Sequence, residues 1–195
     1  IEKEDLLNKE WNFNSKSIQS IMERIEANSQ PFKAFVKYIF VGIQSGKDEV
    51  FFLTENEVQS YNLEKEVVHP ILKGKDVRRY EVNWSNTYVI YPYHKDNTLI
   101  SEFELKSTYP NIYSYLISRR NLLQGRSYFE KSNKEWFELW CERKLSKFKE
   151  QKIVNAEISP ENRFYLDEGG FLGNTKIFSS VLKDKYKPLY RYILG

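Results

Sequence analysis

Apolar and polar residues recur along the chain at spacings that predict two helical regions. The first region lies within residues 1–28, where apolar residues recur every three or four positions and Ser15 or Ser17 can cap the start. Its apolar face is formed by Ile18, Ile21, Met22 and Ile25. The second region covers residues 109–149, and within it we expect Trp136 and Trp140 to be buried in the core.

Six short runs rich in β-branched and aromatic residues predict strands. They cover residues 35–43, 51–54, 88–93, 152–158, 164–166 and 177–181. The second run is expected to pair with the first as a hairpin around the polar turn at residues 44–48. Together, the helices and strands predict an α+β fold with a mixed, largely antiparallel sheet and a helical segment.

Composition limits the class of protein. The 195 residues suit one domain, and 41% hydrophobic and 16% aromatic residues exclude an intrinsically disordered chain. No apolar run reaches the roughly 18 to 20 residues of a membrane span, and no signal peptide opens the sequence. The single cysteine, Cys141, cannot form an internal disulfide. We therefore expect a cytoplasmic protein without a membrane partner.

Basic residues cluster in the stretch at residues 66–80. Pro70 interrupts an apolar run there and is expected to turn the chain. Four cations then lie within seven residues around Gly74, namely Lys73, Lys75, Arg78 and Arg79. Such a loop can dock on a polyanion, and Gly74 would let the backbone approach it closely. Alternatively, the loop is a solvated turn in which Asp76 pairs with Arg78 or Arg79.

The same stretch, EVVHPILKGKDVRRY, resembles the PhLRGRDI.RY signature of the TaqI-like specificity domain family. This family supplies the target recognition domain of many adenine-N6 DNA methyltransferases and fused restriction-modification enzymes. Six further segments resemble landmarks of the family and follow its order. They are GIQSGKDEVFFL from Gly42, Tyr109-Pro110 with Tyr115-Leu116, Leu123 with Arg126, WFEL from Trp136, KIVNAEIS from Lys152, and the run from Phe164 to Thr175.

The resemblance implies a module that recognises double-stranded DNA for a restriction-modification enzyme. Residues 1–15 would be a linker from an absent catalytic domain, and residues 16–195 the target recognition domain, with truncation at its C-terminal end left open. The implied partners are double-stranded DNA and an N-terminal methyltransferase domain of the same polypeptide. The implied cofactors lie on those absent domains: S-adenosylmethionine, and Mg²⁺ if a nuclease is fused.

The resemblance also suggests which side chains contact DNA. The candidates are Ser45, Lys47, Lys73, Lys75, Arg78, Arg79 and Lys152. The sequence departs from the family where Lys73 and Lys75 replace the usual arginines, and where Ser45 and Asp48 replace threonine and asparagine. Lysine holds a phosphate as a point charge but lacks the planar fork that binds guanine. We therefore expect Lys73 and Lys75 to position the DNA rather than read its bases.

Several catalytic motifs are missing from the sequence. It has neither the N-P-P-[YFW] loop of adenine-N6 methyltransferases nor a glycine-rich turn for S-adenosylmethionine, so this chain by itself is not expected to be an enzyme. His69 and His94 lack the paired cysteines of a zinc site. The E-x-K triplet at Glu142 matches half of a nuclease metal site, but it falls within a predicted helix. A protein-interaction domain with solvated basic loops and a free-standing nuclease remain the alternatives.

Overall fold

The computed structural model describes residues 15–127 and 129–193. The chain divides into two compact units, residues 1–36 and 37–195. The linker predicted over residues 1–15 lies, except for Ser15, outside the described residues and stays a prediction. None of the helices in the described part of the chain is long and apolar enough to cross a membrane.

The first unit contains the amphipathic helix that the sequence predicts. Helix α1 (Lys16–Ala27) begins after Ser15, whose hydroxyl accepts a hydrogen bond from the backbone N–H of Ile18. This bond satisfies one of the donors that the first helical turn leaves without a partner. No residue of α1 is buried, and the apolar side chains on its predicted face are about half exposed. A 3₁₀ turn, Phe32–Ala34, follows the helix.

The second unit is an α+β arrangement of two four-stranded sheets with short helices, which confirms the predicted fold class. Its strands, counting the one that begins at the unit boundary, are β1 (Val36–Val41), β2 (Phe52–Thr54), β3 (Val68–Leu72), β4 (Thr87–Ile90), β5 (Lys152–Ala156), β6 (Phe164–Asp167), β7 (Leu172–Gly173) and β8 (Ile177–Leu182). Its helices are α2 (Asp48–Phe51), α3 (Glu55–Ser60), α4 (Glu102–Thr108), α5 (Pro110–Ile117), α6 (Arg120–Gln124), α7 (Leu145–Lys149) and α8 (Tyr190–Ile193).

The sheets have the strand orders β1-β8-β5-β6 and β2-β4-β3-β7. The pairs β5–β6, β5–β8, β2–β4 and β3–β4 are antiparallel, and β3–β7 is parallel, with Leu72 opposite Gly173. Next along the chain, Asn174 forms a parallel bridge with Ile43. Because β3, β7 and the chain at Ile43 run in the same direction, the residues that follow them emerge at one edge of the sheet.

Two predictions about the strands are wrong. The segment at residues 51–54 does not pair with β1; it forms β2 and pairs with β4, because Ile43 bridges to Asn174 and the helical turn α2 then redirects the chain. Pro70 does not turn the chain but lies inside β3, opposite Tyr88 of β4. Its missing N–H is tolerated there because β7 pairs only with the later residues Ile71 and Leu72.

The helical region predicted at residues 109–149 is confirmed at its two ends, where α5, α6 and α7 lie, and is wrong between α6 and α7, where the described residues contain no α-helix. The buried guanidinium of Arg126 donates hydrogen bonds to the carbonyls of Leu123, Trp136 and Glu138, which holds this segment in an irregular conformation. The predicted burial of Trp136 is confirmed, since 3% of the residue is exposed. Trp140 is only partly buried, so the prediction that it is buried in the core is only partly correct.

Two hydrophobic clusters hold the second unit together. The larger contains fully buried residues of both sheets and the helices, among them Phe51, Tyr91, Leu116 and Phe148. The smaller lies where the two sheets meet, and its buried members are Leu72, Val77, Val154 and Ile177. Val77 belongs to the basic stretch predicted to bind a polyanion, so this small cluster anchors that stretch to strands β5 and β8.

Candidate nucleic-acid interface

The basic loop after β3 has a fixed backbone. It forms a 3₁₀ turn, Gly74–Asp76, at the edge where the parallel strands end. The carboxylate of Asp76, 1% exposed, accepts a hydrogen bond from the backbone N–H of Lys73 at 2.8 Å, and the N–H of Asp76 donates to the carbonyl of Lys73 at 2.8 Å. Asp76 therefore braces the turn from inside instead of pairing with Arg78 or Arg79. The side chain of Lys75 remains exposed, and that of Lys73 partly exposed.

Gly74 packs against another part of the same chain. A Cβ atom at Gly74 would lie 3.2 Å from both the Cβ and the carbonyl oxygen of Lys176, closer than most such contacts. The expectation that Gly74 opens the backbone to a partner is thus corrected: the missing side chain lets the basic loop approach the turn before β8. This close approach brings Lys73 and Lys75 next to Lys176, a residue about 100 positions later.

A groove with a volume of about 430 Å³ lies between these segments. Four cations line it, namely Lys73, Lys75, Arg163 and Lys176, together with Gly74, Ala156, Glu157, Ile158 and Asn174. Lys176 pairs with Glu157 at 2.7 Å, and Arg163 pairs with Glu161 at 3.0 Å. Within the described ranges, Lys73 and Lys75 have no carboxylate partner.

The sequence patterns did not point to Arg163 or Lys176. Both residues flank the predicted strands at the C-terminal end of the chain, Arg163 directly before β6 and Lys176 directly before β8. Each would look like an ordinary solvated charge in the sequence, because nothing local indicates that β6 and β8 pair on opposite sides of β5. This pairing brings the two cations to one groove.

The two arginines of the basic stretch differ in their surroundings. The guanidinium of Arg78 donates hydrogen bonds to the carbonyls of Lys75 and Val77, which folds the side chain back on its own loop. Arg79 is exposed, and its guanidinium carbon lies 5.3 Å from the ring centroid of Tyr80. A hydrogen bond with Tyr80 raises the pKa of Arg79 further, so this side chain stays charged. Arg79 therefore fits a phosphate contact better than Arg78.

Lys152, one of the residues predicted to contact DNA, does not lie on this surface. The residue is 1% exposed, and its ammonium donates hydrogen bonds to the carboxylate of Asp167 and the carbonyl of Phe148. Burial lowers the pKa of Lys152, and the pairing with Asp167 opposes that shift. The other oxygen of Asp167 accepts the N–H groups of Gly169 and Gly170 at 3.2 and 2.8 Å. Lys152 thus fixes the turn after β6 from inside the protein.

Ser45, another residue predicted to contact DNA, is likewise buried. It is 1% exposed, donates a hydrogen bond to the carboxylate of Asp48 and accepts one from the N–H of Lys47 at 3.1 Å. Lys47 is partly exposed and pairs with Glu49 at 3.0 Å.

A Cβ atom at Gly42 would lie 2.1 Å from the carbonyl oxygens of Gly173 and Asn174, so only glycine permits this approach. The loop that carries Lys47 therefore starts beside Asn174, which lines the groove.

No described group of three or more histidine, cysteine, aspartate or glutamate side chains could hold a metal ion. Burial lowers the pKa of His69 to about 4, with a smaller contribution from the charge of Lys149. His94 lies 3.2 Å from the carboxylate of Glu104. The triplet from Glu142 lies outside any helix, and the guanidinium of Arg143 donates to the carbonyls of Val41 and Glu142.

The groove concentrates positive charge at one place on the surface of the α+β fold. A family model described as the TaqI-like C-terminal specificity domain matches residues 69–195, and the chain belongs to that family. The match covers more than half of the chain and includes every segment that lines the groove.

Comparison with curated proteins finds type II methyltransferases. The chain is 31% identical to M.MjaIV of Methanocaldococcus jannaschii over 140 residues, which are 68% of this chain and 45% of that protein. It is 21% identical to M.BstVI of Geobacillus stearothermophilus over 170 residues, which are 86% of this chain and 29% of that protein. The chain therefore spans less than half the length of these relatives.

Comparison with solved structures finds the same fold in a much larger protein. The Type IIL restriction-modification enzyme MmeI, solved in complex with DNA, matches with a TM-score of 0.54 and 12% sequence identity. The match covers 80% of this chain and 20% of that one. At this identity the likeness concerns the fold.

Proposed function

We propose that this chain is the duplex-DNA recognition module of a restriction-modification protein. In this proposal it positions DNA for adenine-N6 methylation by a methyltransferase domain elsewhere in the same polypeptide. The family and the names of the relatives support a role in such systems. The small share of those relatives that the chain spans supports a division of labour, in which chemistry and recognition lie on different parts of the protein.

The groove lined by Lys73, Lys75, Arg163 and Lys176 carries this proposal. A strand of duplex DNA presents a row of phosphates, and cations that neutralise them release condensed counterions. Lys73 and Lys75 are well suited to this task because their turn is braced by Asp76 and no described carboxylate competes for them. Arg163 and Lys176 would exchange their exposed carboxylate partners for phosphates.

Base recognition requires other side chains in this proposal. Lysine ammonium groups lack the paired donors that bind two acceptors of guanine at once, so Lys73 and Lys75 set the position of the duplex without selecting its sequence. The cofactors implied by the family also belong elsewhere. In this proposal the site for S-adenosylmethionine, and that for Mg²⁺ if a nuclease is fused, lie on domains outside this chain, because the sequence has no glycine-rich turn for S-adenosylmethionine.

A salt titration of duplex binding tests the proposal. Binding of a labelled random-sequence duplex, and of the tightest duplex selected from a random pool, is measured over a range of salt concentrations. For the double variant Lys73→Ala/Lys75→Ala, we expect the slope of log affinity against log salt to fall by about two, because each lost phosphate contact removes about 0.9. The double variant Lys95→Ala/Lys106→Ala removes the same charge outside the groove and should keep the parent slope.

Each alternative predicts a different outcome. An unchanged slope in the groove variant would remove Lys73 and Lys75 from the interface, and a loss confined to the selected duplex would make them base readers. If the parent chain binds no duplex, the protein-interaction alternative replaces the proposal. Metal-dependent cleavage of the duplex by the purified chain would instead support the nuclease alternative.

A further inference from the structure

The cationic groove contains a single acidic side chain among the described residues that line it. Glu157 lies there beside Lys73, Lys75, Arg163 and Lys176. A carboxylate repels phosphates, and like charges that face each other across an interface weaken binding. The charge of Glu157 therefore opposes the task proposed for the four cations, and its place in the groove requires a separate reason.

The backbone of Glu157 is fixed by the neighbouring strand and loop. The residue directly follows β5, and its N–H donates to the carbonyl of Lys176 at 2.9 Å, which extends the pairing of β5 with β8. Ala156, directly before it, lies next to the basic loop, because a Cβ atom at Gly74 would be 3.7 Å from the Cβ of Ala156. The fold thus holds Glu157 at the wall of the groove, close to the basic loop.

The carboxylate of Glu157 is only partly engaged. Its Oε2 atom accepts a hydrogen bond from the ammonium of Lys176 at 2.7 Å, whereas no group in the described ranges donates to Oε1. The side chain of Glu157 is 36% exposed, and that of Lys176 is 63% exposed. Ion pairs this exposed contribute little to stability. The fold therefore gains little from the negative charge.

Binding of DNA would separate Glu157 from its partner. In the proposed function, Lys176 exchanges this carboxylate for a phosphate. An ionised carboxylate accepts hydrogen bonds and donates none, so Glu157 then needs a donor from the DNA. The phosphates and deoxyriboses within a duplex offer no such donor, but the amino groups of cytosine and adenine in the major groove do. The charge of Glu157 is therefore compatible with binding only where such an amino group meets it.

We propose that Glu157 is a base-reading residue, whose carboxylate accepts a hydrogen bond from the N4 amino group of a cytosine in the major groove. This inference rests on the proposed function and names a residue that selects the sequence. Cytosine fits better than adenine, because adenine places its N7 acceptor beside the N6 donor and would repel the second carboxylate oxygen. A duplex without a donor at this place leaves the charge unpaired, so wrong sequences are rejected.

The variant Glu157→Gln tests the inference, because it removes the charge and keeps the length of the side chain. Glutamine can both donate and accept, so it no longer rejects a base that lacks an amino group. We expect the ratio of affinities for the selected duplex and the random-sequence duplex to fall by about 5- to 150-fold, the range for one base contact. The melting temperature should stay close to that of the parent, because the lost ion pair is exposed.

Changes in the selected duplex identify the base that is read. Each C·G pair of that duplex is replaced in turn by T·A, which puts the O4 acceptor of thymine where the N4 donor of cytosine was. The parent should lose about 5- to 150-fold in affinity at the position that Glu157 reads. At that position Glu157→Gln should lose much less, and at the other positions the two proteins should respond alike.

An ion pair elsewhere on the surface provides the matched control. Asp184→Asn removes the charge of an exposed carboxylate that pairs with Lys187 at 2.8 Å outside the groove, and this variant should behave like the parent in both measurements.

An unchanged affinity ratio in Glu157→Gln, or the absence of any C·G position at which the two proteins differ, would overturn the inference and leave the groove proposal intact. A lower melting temperature with equal losses on both duplexes would make Glu157 a residue of the fold and would also overturn it. Absence of duplex binding by the parent would instead remove the proposed function.

Discussion

At the scale of single residues, His69 makes stability depend on pH. Burial in β3 favours the neutral form of His69, and the positive charge of Lys149 adds to this effect. The ring of His69 packs edge-on against that of Tyr91, with 5.9 Å between the ring centroids. Because the pKa of His69 falls from an ordinary value of 6.5 to about 4, the unfolded chain binds a proton more readily than the folded chain between these values. Stability is therefore lost as pH falls through this window.

We expect His69 to contribute a loss of about 3 kcal/mol in the free energy of unfolding between pH 7 and pH 4, because each pKa unit corresponds to about 1.4 kcal/mol. Urea unfolding of the parent and of His69→Gln at the two pH values measures this loss. His94→Gln is the control, since His94 is paired with Glu104 near the surface. An identical pH dependence in the parent and His69→Gln would show that His69 is not the source of this loss.

Trp136 is a buried residue of the core whose ring has aromatic neighbours. The residue is 3% exposed and contacts the rings of Tyr113 and Phe137, but its indole N–H has no described hydrogen-bond acceptor. Trp136→Ala should lower the free energy of unfolding by roughly 3 to 5 kcal/mol, whereas Trp136→Phe keeps a ring and should cost roughly 1 to 2 kcal/mol. Chemical denaturation gives both values, and equal losses would mean that the N–H is essential.

At the scale of elements, the pair of Lys152 and Asp167 joins β5 to β6. Removal of one charge leaves the other buried without a partner, so Lys152→Met should lower the free energy of unfolding by about 3 to 5 kcal/mol. In Lys152→Met/Asp167→Asn no charge is buried, and the amide oxygen can still accept the N–H groups of Gly169 and Gly170. We expect this double variant to regain more than half of the loss in a double-mutant cycle. A further loss of unfolding free energy in the double variant would show that the unpaired buried charge is not the cause of the first loss.

Elements whose pattern is local were predictable from the sequence. Helix α1 and strands β4, β5, β6 and β8 follow from apolar spacing alone, because the pattern that indicates each of them lies within its own residues. The irregular segment after α6 was not predictable, since the side chain of Arg126 satisfies carbonyls that a helix would otherwise use. In this segment, therefore, apolar residues at helical spacing are buried but do not form a helix.

The candidate site was predictable only in part, for a similar reason. Lys73 and Lys75 are two positions apart in the sequence and could be found as a cluster. The burial of Lys152 was not predictable because its partner Asp167 is 15 positions away and one sequence does not reveal the pairing. Arg163 and Lys176 were missed because the pairing of β5 with β6 and β8 brings them to the groove.

At the scale of the whole molecule, recognition is expected to be separate from chemistry. The sequence lacks the N-P-P-[YFW] loop and a glycine-rich turn, so the purified 195-residue chain should not transfer a methyl group from labelled S-adenosylmethionine to any duplex. A purified adenine-N6 DNA methyltransferase is the positive control. Incorporation of label into DNA by the 195-residue chain would show that the division of labour is wrong.

The parallel arrangement of β3 and β7 has a consequence for how the molecule is made. The groove joins the basic loop at Lys73 to a turn at Lys176, about 100 positions later in the chain. Contacts between such distant segments form slowly, because a long loop must close before they can form. During synthesis, therefore, a growing chain can fold its local helices early, but the groove cannot form until the ribosome has added Lys176.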